Sequence, residues 1–373
     1  MKKYEQLQAE LQNQIENGTF QPGDKLPSEN ELCSLYSVSR NVVRQALRNL
    51  ESQGLTETVK GVGTFCRSRA RKKQLTYNIG FISFFTHSYI FPKIIAGADS
   101  VLYQQGFHLL IGQSLYDLER EKRLLERFRQ RGVDGIIMEP IYDGNADHSN
   151  EGIIRALINE GIPVVFIDNF IPGINTTTIT LDDFKAGRQA AEYLGSRGHR
   201  KIALFYQEDY FTKVQRKRGV EDYLAEHGSQ GYRAFPFPFR GQGSNSTAPS
   251  AADRLFQQLD LGFTAVFCSS DEDAMHLIEQ ADTYNVRIPE DISIIGFDNW
   301  HFSGLNRINL STFEHSSTQM GRMSAHSLLE LLFHSEETTE THALLEPTLI
   351  ERESVQDIRR DQVGRGGDGK EPS

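Results

Sequence analysis

Residues 26–54 constrain the chain more than any other stretch. Ser28 is a favourable helix N-cap, and Glu31 three residues on completes a capping box. A short helix is therefore expected, with Leu32 and Leu35 on one side. Tyr36-Ser37-Val38 then makes a turn, Ser39 caps a second helix, and Gly54 stops it. Val43, Ala46, Leu47 and Leu50 fall on one face of that second helix, while Arg40, Arg44 and Arg48 recur at i, i+4 and i+8 on another. Two short helices about a tight turn, the second cationic on its outer face, predict a helix-turn-helix and a DNA-binding module.

A row of arginines is usually a solvated helix face. Here no carboxylate stands four residues from Arg40 or Arg44 to neutralise them. A wing follows: alternating strands over Leu55–Val59 and Thr64–Cys66 flank the Gly-bearing turn from Lys60 to Gly63. The wording Leu-Pro-Ser-Glu-x-Glu-Leu, Val-Ser-Arg-x-x-Val-Arg-x-Ala-Leu and Gly-x-Gly-Thr-Phe resembles the winged helix-turn-helix of the GntR repressor family over residues 4 to 66. The resemblance implies that Arg40 and Arg44, with Ser39, Asn41 and Val42 beside them, meet phosphates or guanine edges of double-stranded operator DNA. It also implies that Gly61, next to Lys60, lets the wing approach the minor groove. Asn30 stands where many members carry a DNA-contacting arginine, and Val42 where Thr is common, so the operator sequence does not carry over.

At 373 residues the chain is long enough for two or three domains. Its first residues run directly into a polar amphipathic helix with Tyr4, Leu7, Leu11 and Ile15 as the apolar stripe, so no signal peptide is expected. Apolar runs such as Ile79–Phe85 are too short to span a bilayer. Three scattered cysteines suggest neither a disulfide framework nor a zinc site. The expectation is a cytoplasmic protein with no membrane partner, metal or cofactor. Charge is divided unevenly. Residues 1–73 hold twelve Lys and Arg against eight Asp and Glu, a net +4, which leaves −14 for the remainder of a chain totalling −10. A basic module on an acidic body points to nucleic acid for the module alone.

Beyond the basic linker, helix and strand signals alternate for nearly 280 residues. Apolar strands are expected at Ile79–Phe85, Phe107–Ile111, 132–138, 161–168, 178–181, 198–205, 264–268 and 291–298. Helices are expected between them, among them Lys185–Arg197, Arg218–His227 and Ala251–Leu259, with a Pro/Gly/Ser-rich region over 236–250. Continuous apolar strands alternating with amphipathic helices mean parallel sheets covered on both faces. The fold class is thus α/β: a winged helix-turn-helix followed by a two-lobed, doubly wound parallel-sheet domain, with a ligand crevice at the carboxyl ends of the strands. The expected division is a head over 1–68, a linker over 69–76, an effector-binding and dimerisation domain over 77–355 and a disordered tail over 356–373.

Landmarks of the body resemble the LacI/GalR effector domain, itself like periplasmic sugar-binding proteins. They include Gly-Val-Asp-Gly-Ile-Ile at 132–137, Gly-Ile-Pro-Val-Val-x-Ile-Asp at 161–168, Gly-His-Arg-Lys-Ile-Ala at 198–203 and Pro-Glu-Asp-Ile-Ser-Ile-Ile-Gly-Phe-Asp at 289–298. A GntR head on such a body resembles the bacterial L-arabinose repressor family, as do Tyr89-Ile-Phe-Pro92, Met138-Glu-Pro140 and Thr180-Leu-Asp-Asp183. By that resemblance Glu139, Asp168, Arg216 and Asp298 match ligand contacts, Phe91 an aromatic pocket wall and His315 a polar hinge-side position. Tyr89, Lys93 and Asp271 are adjacent candidates. Such residues suit a sugar, because planar polar groups bind paired hydroxyls and an aromatic face covers the C–H side of the ring. A strand-end Asp can equally cap the next helix.

An enzyme is not indicated. No Gly-x-Gly-x-x-Gly follows the first strand, and no Gly-x-Ser-x-Gly, P-loop or His-Glu-x-x-His occurs. Adjacent carboxylates such as Asp182-Asp183 read as loop or helix surface. The expected function is a transcriptional repressor that binds operator DNA as a homodimer and is released by a small sugar, L-arabinose first. Another sugar or a nucleoside as effector, or an activator, stays open.

Overall fold

The computed structural model describes residues 3–16, 19–20, 23–52, 55–59, 62–66, 75–86, 89–145, 147–241, 246–301, 308–333 and 341–359. The chain divides into two compact units, Met1–Leu75 and Thr76–Ser373.

The first unit contains α1 (Lys3–Glu16), α2 (Glu29–Tyr36), α3 (Arg40–Ser52) and the antiparallel strands β1 (Thr56–Val59) and β2 (Gly63–Cys66). The capping box forms as its residues dictate: the Ser28 amide donates to Glu31 Oε2 at 2.7 Å, and the Glu31 amide donates to Ser28 Oγ. Ser37 ends α2 in the left-handed conformation, which creates the tight turn into α3. Leu7, Leu11, Leu32, Val43, Ala46, Leu47 and Leu50 form the core of this unit. Leu35 departs from expectation, since it is 68% exposed. The eight-residue α2 turns Leu32 inward and leans on Cys33 and Tyr36 as partly buried neighbours, so Leu35 rolls off the core. Gly54, Lys60 and Gly61 lie outside the described residues, as do linker residues 67–74.

The second unit runs β3 (Asn78–Ser83), α4 (Phe91–Leu102), β4 (His108–Gln113), α5 (Leu118–Arg131), β5 (Gly135–Met138), α6 (Glu151–Asn159), β6 (Val164–Ile167) and β7 (Thr177–Leu181). It continues α7 (Asp183–Ser196), β8 (Lys201–Gln207), α8 (Phe211–Glu226), β9 (Arg233–Phe239), α9 (Ala248–Gln257), β10 (Ala265–Cys268), α10 (Asp271–Ala281) and β11 (Ser293–Ile295). After β12 (Thr312–Glu314) come α11 (Ser317–Phe333), β13 (His342–Leu345) and β14 (Thr348–Ile350). One parallel sheet has the order β13-β7-β6-β5-β3-β4 and a second β11-β10-β8-β9, every pairing within both being parallel, while β12 and β14 pair antiparallel in a small separate sheet. Among the described residues no helix is long and apolar enough to cross a membrane.

Three details differ from the sequence reading. Pro236 and Pro238 lie within β9, not in a loop; β9 is the outermost strand of its sheet, where a residue without an N–H is tolerated. Helix α8 starts at Phe211, two turns before Arg218, and so takes Arg216 into a helix. Residues 356–359 are not a loose tail. His199 hydrogen-bonds the Gln356 carbonyl at 3.0 Å, and the Ile358 amide donates to the Arg197 carbonyl at 2.9 Å. The rest of that segment, 360–373, lies outside the described residues.

Two helix pairs make backbone contact. A Cβ on Gly187 of α7 would sit 1.9 Å from the Arg216 carbonyl oxygen of α8, and one on Gly321 of α11 would sit 2.0 Å from the Ile94 carbonyl oxygen of α4. Only glycine permits that approach.

Candidate functional site

Each of the two parallel sheets of the second unit reverses its winding once, β3 lying between β4 and β5 and β8 between β9 and β10. A crevice opens at the carboxyl ends of the strands at such a reversal. Polar groups meet at both. The Phe84 amide, just past β3, donates to Glu139 Oε2 just past β5 at 3.2 Å. The Gln207 amide at the end of β8 donates to Ser269 Oγ just past β10 at 3.3 Å.

Asp168 follows β6 and Asp298 follows β11. Both hold positive φ, 61° and 105°, a conformation Asp tolerates better than most residues. Such backbones cost about 1–3 kcal/mol each and persist where the surroundings over-determine them. Here the Asp168 amide donates to the Ile179 carbonyl at 3.0 Å and the Asp298 amide to the Phe313 carbonyl at 2.8 Å. His315, fully buried, hydrogen-bonds Asp168 Oδ1 at 2.9 Å and Ser317 Oγ at 3.0 Å. Arg216, 3% exposed, donates from Nε to Asp183 Oδ1 at 2.7 Å and from a terminal nitrogen to the Ser269 carbonyl at 2.8 Å. The same nitrogen reaches Asp298 Oδ1 at 3.4 Å, and the guanidinium carbon lies 3.6 Å from the Phe297 ring centroid. Tyr89 donates its hydroxyl to Asp298 Oδ2 at 2.5 Å and stacks on Trp300, ring centroids 5.0 Å apart.

Burial and partners separate the protonation states. Burial, reinforced by Asp168, pushes the Glu139 carboxyl well above its ordinary value. Burial pushes Asp271 up to about 8 against hydrogen bonds from Thr312 and Trp300, and Asp183 up to about 6 against Arg216. Burial also raises Asp298, opposed by Arg216, His315 and Tyr89. Burial would raise Asp168 too, but His315 and then Arg216 bring it below the ordinary carboxylate value. Burial would discharge His315, yet Asp168 outweighs it and the imidazole is raised. The cluster thus holds an ionised acceptor at Asp168, a cationic donor at Arg216 and, at Glu139, a carboxyl whose burial favours the protonated form, which can donate as well as accept. Such a mixture matches neutral polyhydroxylated molecules, whose hydroxyls do both.

Of the sequence candidates, Glu139, Asp168, Arg216, Asp298, His315 and Tyr89 are brought together, and Phe91 is buried in the first turn of α4. Lys93 is exposed on that turn and stands outside the buried group. Asp271 opens α10 and receives the Trp300 amide at 2.8 Å and the Thr312 hydroxyl at 2.6 Å, so it props the turn that carries Asp298. Asp183 corrects the surface reading of the Asp182-Asp183 pair: Asp182 accepts from the Lys185 amide as the cap of α7, while Asp183 is buried against Arg216. The change from strand to helix at Asp182 was the available signal. No periodic pattern in the sequence marks Trp300 as part of the site.

In the first unit, Asn30, Ser39, Arg40, Asn41 and Arg44 are exposed and Val42 is half-buried. The arginines are not unpaired in space. Arg44 Nε donates to both oxygens of Glu29 at 3.0 Å, and Arg40 Nε lies 3.6 Å from the same carboxylate. Glu29 belongs to α2, so the spacing of charges along α3 does not reveal it.

Comparison with known proteins agrees with both units. Residues 3–66 match the family described as bacterial regulatory proteins, gntR family, and residues 191–355 a periplasmic binding protein-like domain. The chain is 31% identical to the arabinose metabolism transcriptional repressor of Geobacillus stearothermophilus, over 95% of this chain and 98% of that protein. It is 27% identical to the protein of the same name from Halalkalibacterium halodurans, over 96% and 98%. Among solved structures, a LacI family transcriptional regulator from Enterococcus faecium with bound ribose superposes with a TM-score of 0.63 at 25% identity, over 76% of this chain and all of that one.

Proposed function

The chain belongs to the family of arabinose metabolism transcriptional repressors and is a sugar-responsive repressor, not an enzyme; on that premise we propose that L-arabinose is its effector. It holds operator DNA as a homodimer, with paired heads on a two-fold related site. The observation that supports the sugar reading is the buried set of Asp168, Asp298 and Glu139 at the strand ends of two parallel sheets, joined by His315 after β12 and Arg216 in α8. The relatives that carry arabinose in their names favour the pentose.

Release follows from differential binding. Sugar lowers operator affinity only if it binds the DNA-incompetent state more tightly, and each tenfold loss of operator affinity is about 1.4 kcal/mol of coupling. Arg216 is the cation among the carboxylates, and hydrogen bonds to charged groups are worth about 1.5–3 kcal/mol each. Arg216→Ala should therefore weaken sugar binding at least tenfold while sugar-free operator binding survives, giving a repressor that sugar does not release.

Calorimetry with L-arabinose, D-xylose and D-galactose, on wild type and Arg216→Ala, tests this beside gel-shift titration of the operator. Absence of heat from every sugar on wild type ends the pentose reading. Unaltered arabinose binding by the variant removes Arg216 from the site. Size-exclusion chromatography with light scattering tests the dimer.

A further inference from the structure

Tyr116 and Tyr210 come from opposite lobes of the second unit and close on each other. Tyr116 lies on the connection from β4 to α5, and Tyr210 immediately precedes α8. Their rings stack with centroids 4.6 Å apart and planes 24° off parallel. The Tyr116 hydroxyl donates to the Asp209 carbonyl at 2.5 Å, a second tie between the lobes. Phe84 sets an edge against both rings, at 4.8 Å from Tyr116 and 5.8 Å from Tyr210. The amide of Phe84 is also the group that donates to Glu139, so these rings border the Glu139 end of the cleft.

The backbone beneath Tyr116 is held in an uncommon shape. Leu115 and Tyr116 are successive non-glycine residues with φ of 53° and 58°. The Leu115 amide donates to the Phe84 carbonyl at 3.0 Å, and the Asp117 amide to the Ser114 carbonyl at 3.0 Å, which fixes the bend that carries the ring across. Strain of this kind concentrates at clamps and switch regions. On the other lobe, Tyr210 is the cap of α8, the helix whose second turn carries Arg216. Any opening that parts the two tyrosines therefore also moves Arg216 relative to Asp168.

We propose that Tyr116 and Tyr210 are the latch of the cleft: they part to let a sugar enter or leave, and so set how long it stays bound. This inference rests on the reading of the cleft as a sugar site. A latch acts on both rates, so its loss should speed association and dissociation together and move the equilibrium constant less than either.

The test is stopped-flow mixing of the full chain with L-arabinose, followed through Trp300, the chain's only tryptophan, which stacks on Tyr89 in the cleft. Tyr116→Phe keeps the ring and loses the hydroxyl, and should speed dissociation about fivefold. Tyr116→Ala loses the stack as well and should speed it about tenfold or more. Dissociation within twofold of wild type in both variants overturns the latch. A second measurement needs no sugar: thermal midpoints of Tyr116→Ala, Tyr210→Leu and the double variant, each single change removing the stack. If arabinose does not bind wild type, non-additive midpoints keep the latch while the effector assignment falls, and additive midpoints overturn the latch as well.

Discussion

Arg216 Nε lies 2.7 Å from Asp183 Oδ1 with both side chains buried, and this pair fastens the second turn of α8 to the first turn of α7. Removing one partner of a buried ion pair leaves an uncompensated charge, at a cost of about 3–5 kcal/mol. Asp183→Ala should show that loss in urea unfolding at neutral pH. Asp183→Asn, which keeps the acceptor oxygen, should lose less. Equal and small losses would mean that Asp298 alone suffices for the guanidinium.

The glycine contacts predict a pair of variants that separate stability from binding. Gly187→Ala places a methyl 1.9 Å from the Arg216 carbonyl oxygen, so α7 and α8 must move apart and Arg216 with them. Gly321→Ala creates the same overlap, 2.0 Å from the Ile94 carbonyl oxygen, in a helix pair that does not carry Arg216. Each should cost about 1–3 kcal/mol of stability by overpacking. Arabinose affinity should fall more in Gly187→Ala than in Gly321→Ala. Equal affinities in calorimetry would show that the position of α8 does not govern the site.

Much of this architecture was legible because local signals agreed with one another. Ser28 with Glu31, and Val43 with Ala46, Leu47 and Leu50, fix the head by capping and period alone. Uninterrupted apolar runs such as Val164–Ile167 announced buried parallel strands. What stayed hidden depends on pairing across long sequence separations. Neither the Glu29 carboxylate near Arg44 nor the Asp183 carboxylate under Arg216 carries a local pattern that marks its partner. The return of α11 against α4 and of β13 beside β7 is likewise a tertiary fact, as is the contact of Tyr116 with Tyr210. Pro236 and Pro238 misled because proline signals a loop unless the strand is known to lie at an edge.

Two buried histidines give opposite pH dependences. His315 is raised above 6.5, so its contribution to stability is complete below that value and is lost as pH rises through the raised one. Its partner Asp168 is depressed below 3.8, so that contribution is complete above 3.8 and is lost as pH falls through the depressed value. His199 runs the other way. Burial lowers it from 6.5 to about 4, so it favours the folded state above 6.5 and loses that contribution as pH falls toward 4, a difference on the order of 3 kcal/mol. In urea midpoints taken from about pH 4 to about pH 9, His315→Gln should flatten the decline on the alkaline side and His199→Gln the decline on the acid side. An unchanged slope in either variant removes that histidine as the cause.

In the head, Glu29 holds Arg44 through both carboxylate oxygens at 3.0 Å, with the two side chains 34% and 53% exposed. A pair so exposed contributes at most about 1 kcal/mol to folding, so Glu29→Gln should leave the unfolding midpoint nearly unchanged. Its effect should appear on DNA. With the carboxylate gone, the Glu29 charge no longer offsets the field of Arg44 and Arg40 toward phosphate, and binding to random duplex should strengthen at low salt. Arg44→Ala should do the reverse on the operator, losing about 1–3 kcal/mol if the guanidinium reads a guanine edge. Effector affinity should stay unchanged in both variants. Gel-shift titration on operator and random duplex at several salt concentrations separates the cases. An Arg44→Ala loss equal on both duplexes, with the salt slope reduced by about one, makes Arg44 a phosphate contact. Unchanged operator affinity takes Arg44 out of the interface. Unchanged random-duplex binding by Glu29→Gln would show that the carboxylate does not restrain the arginines.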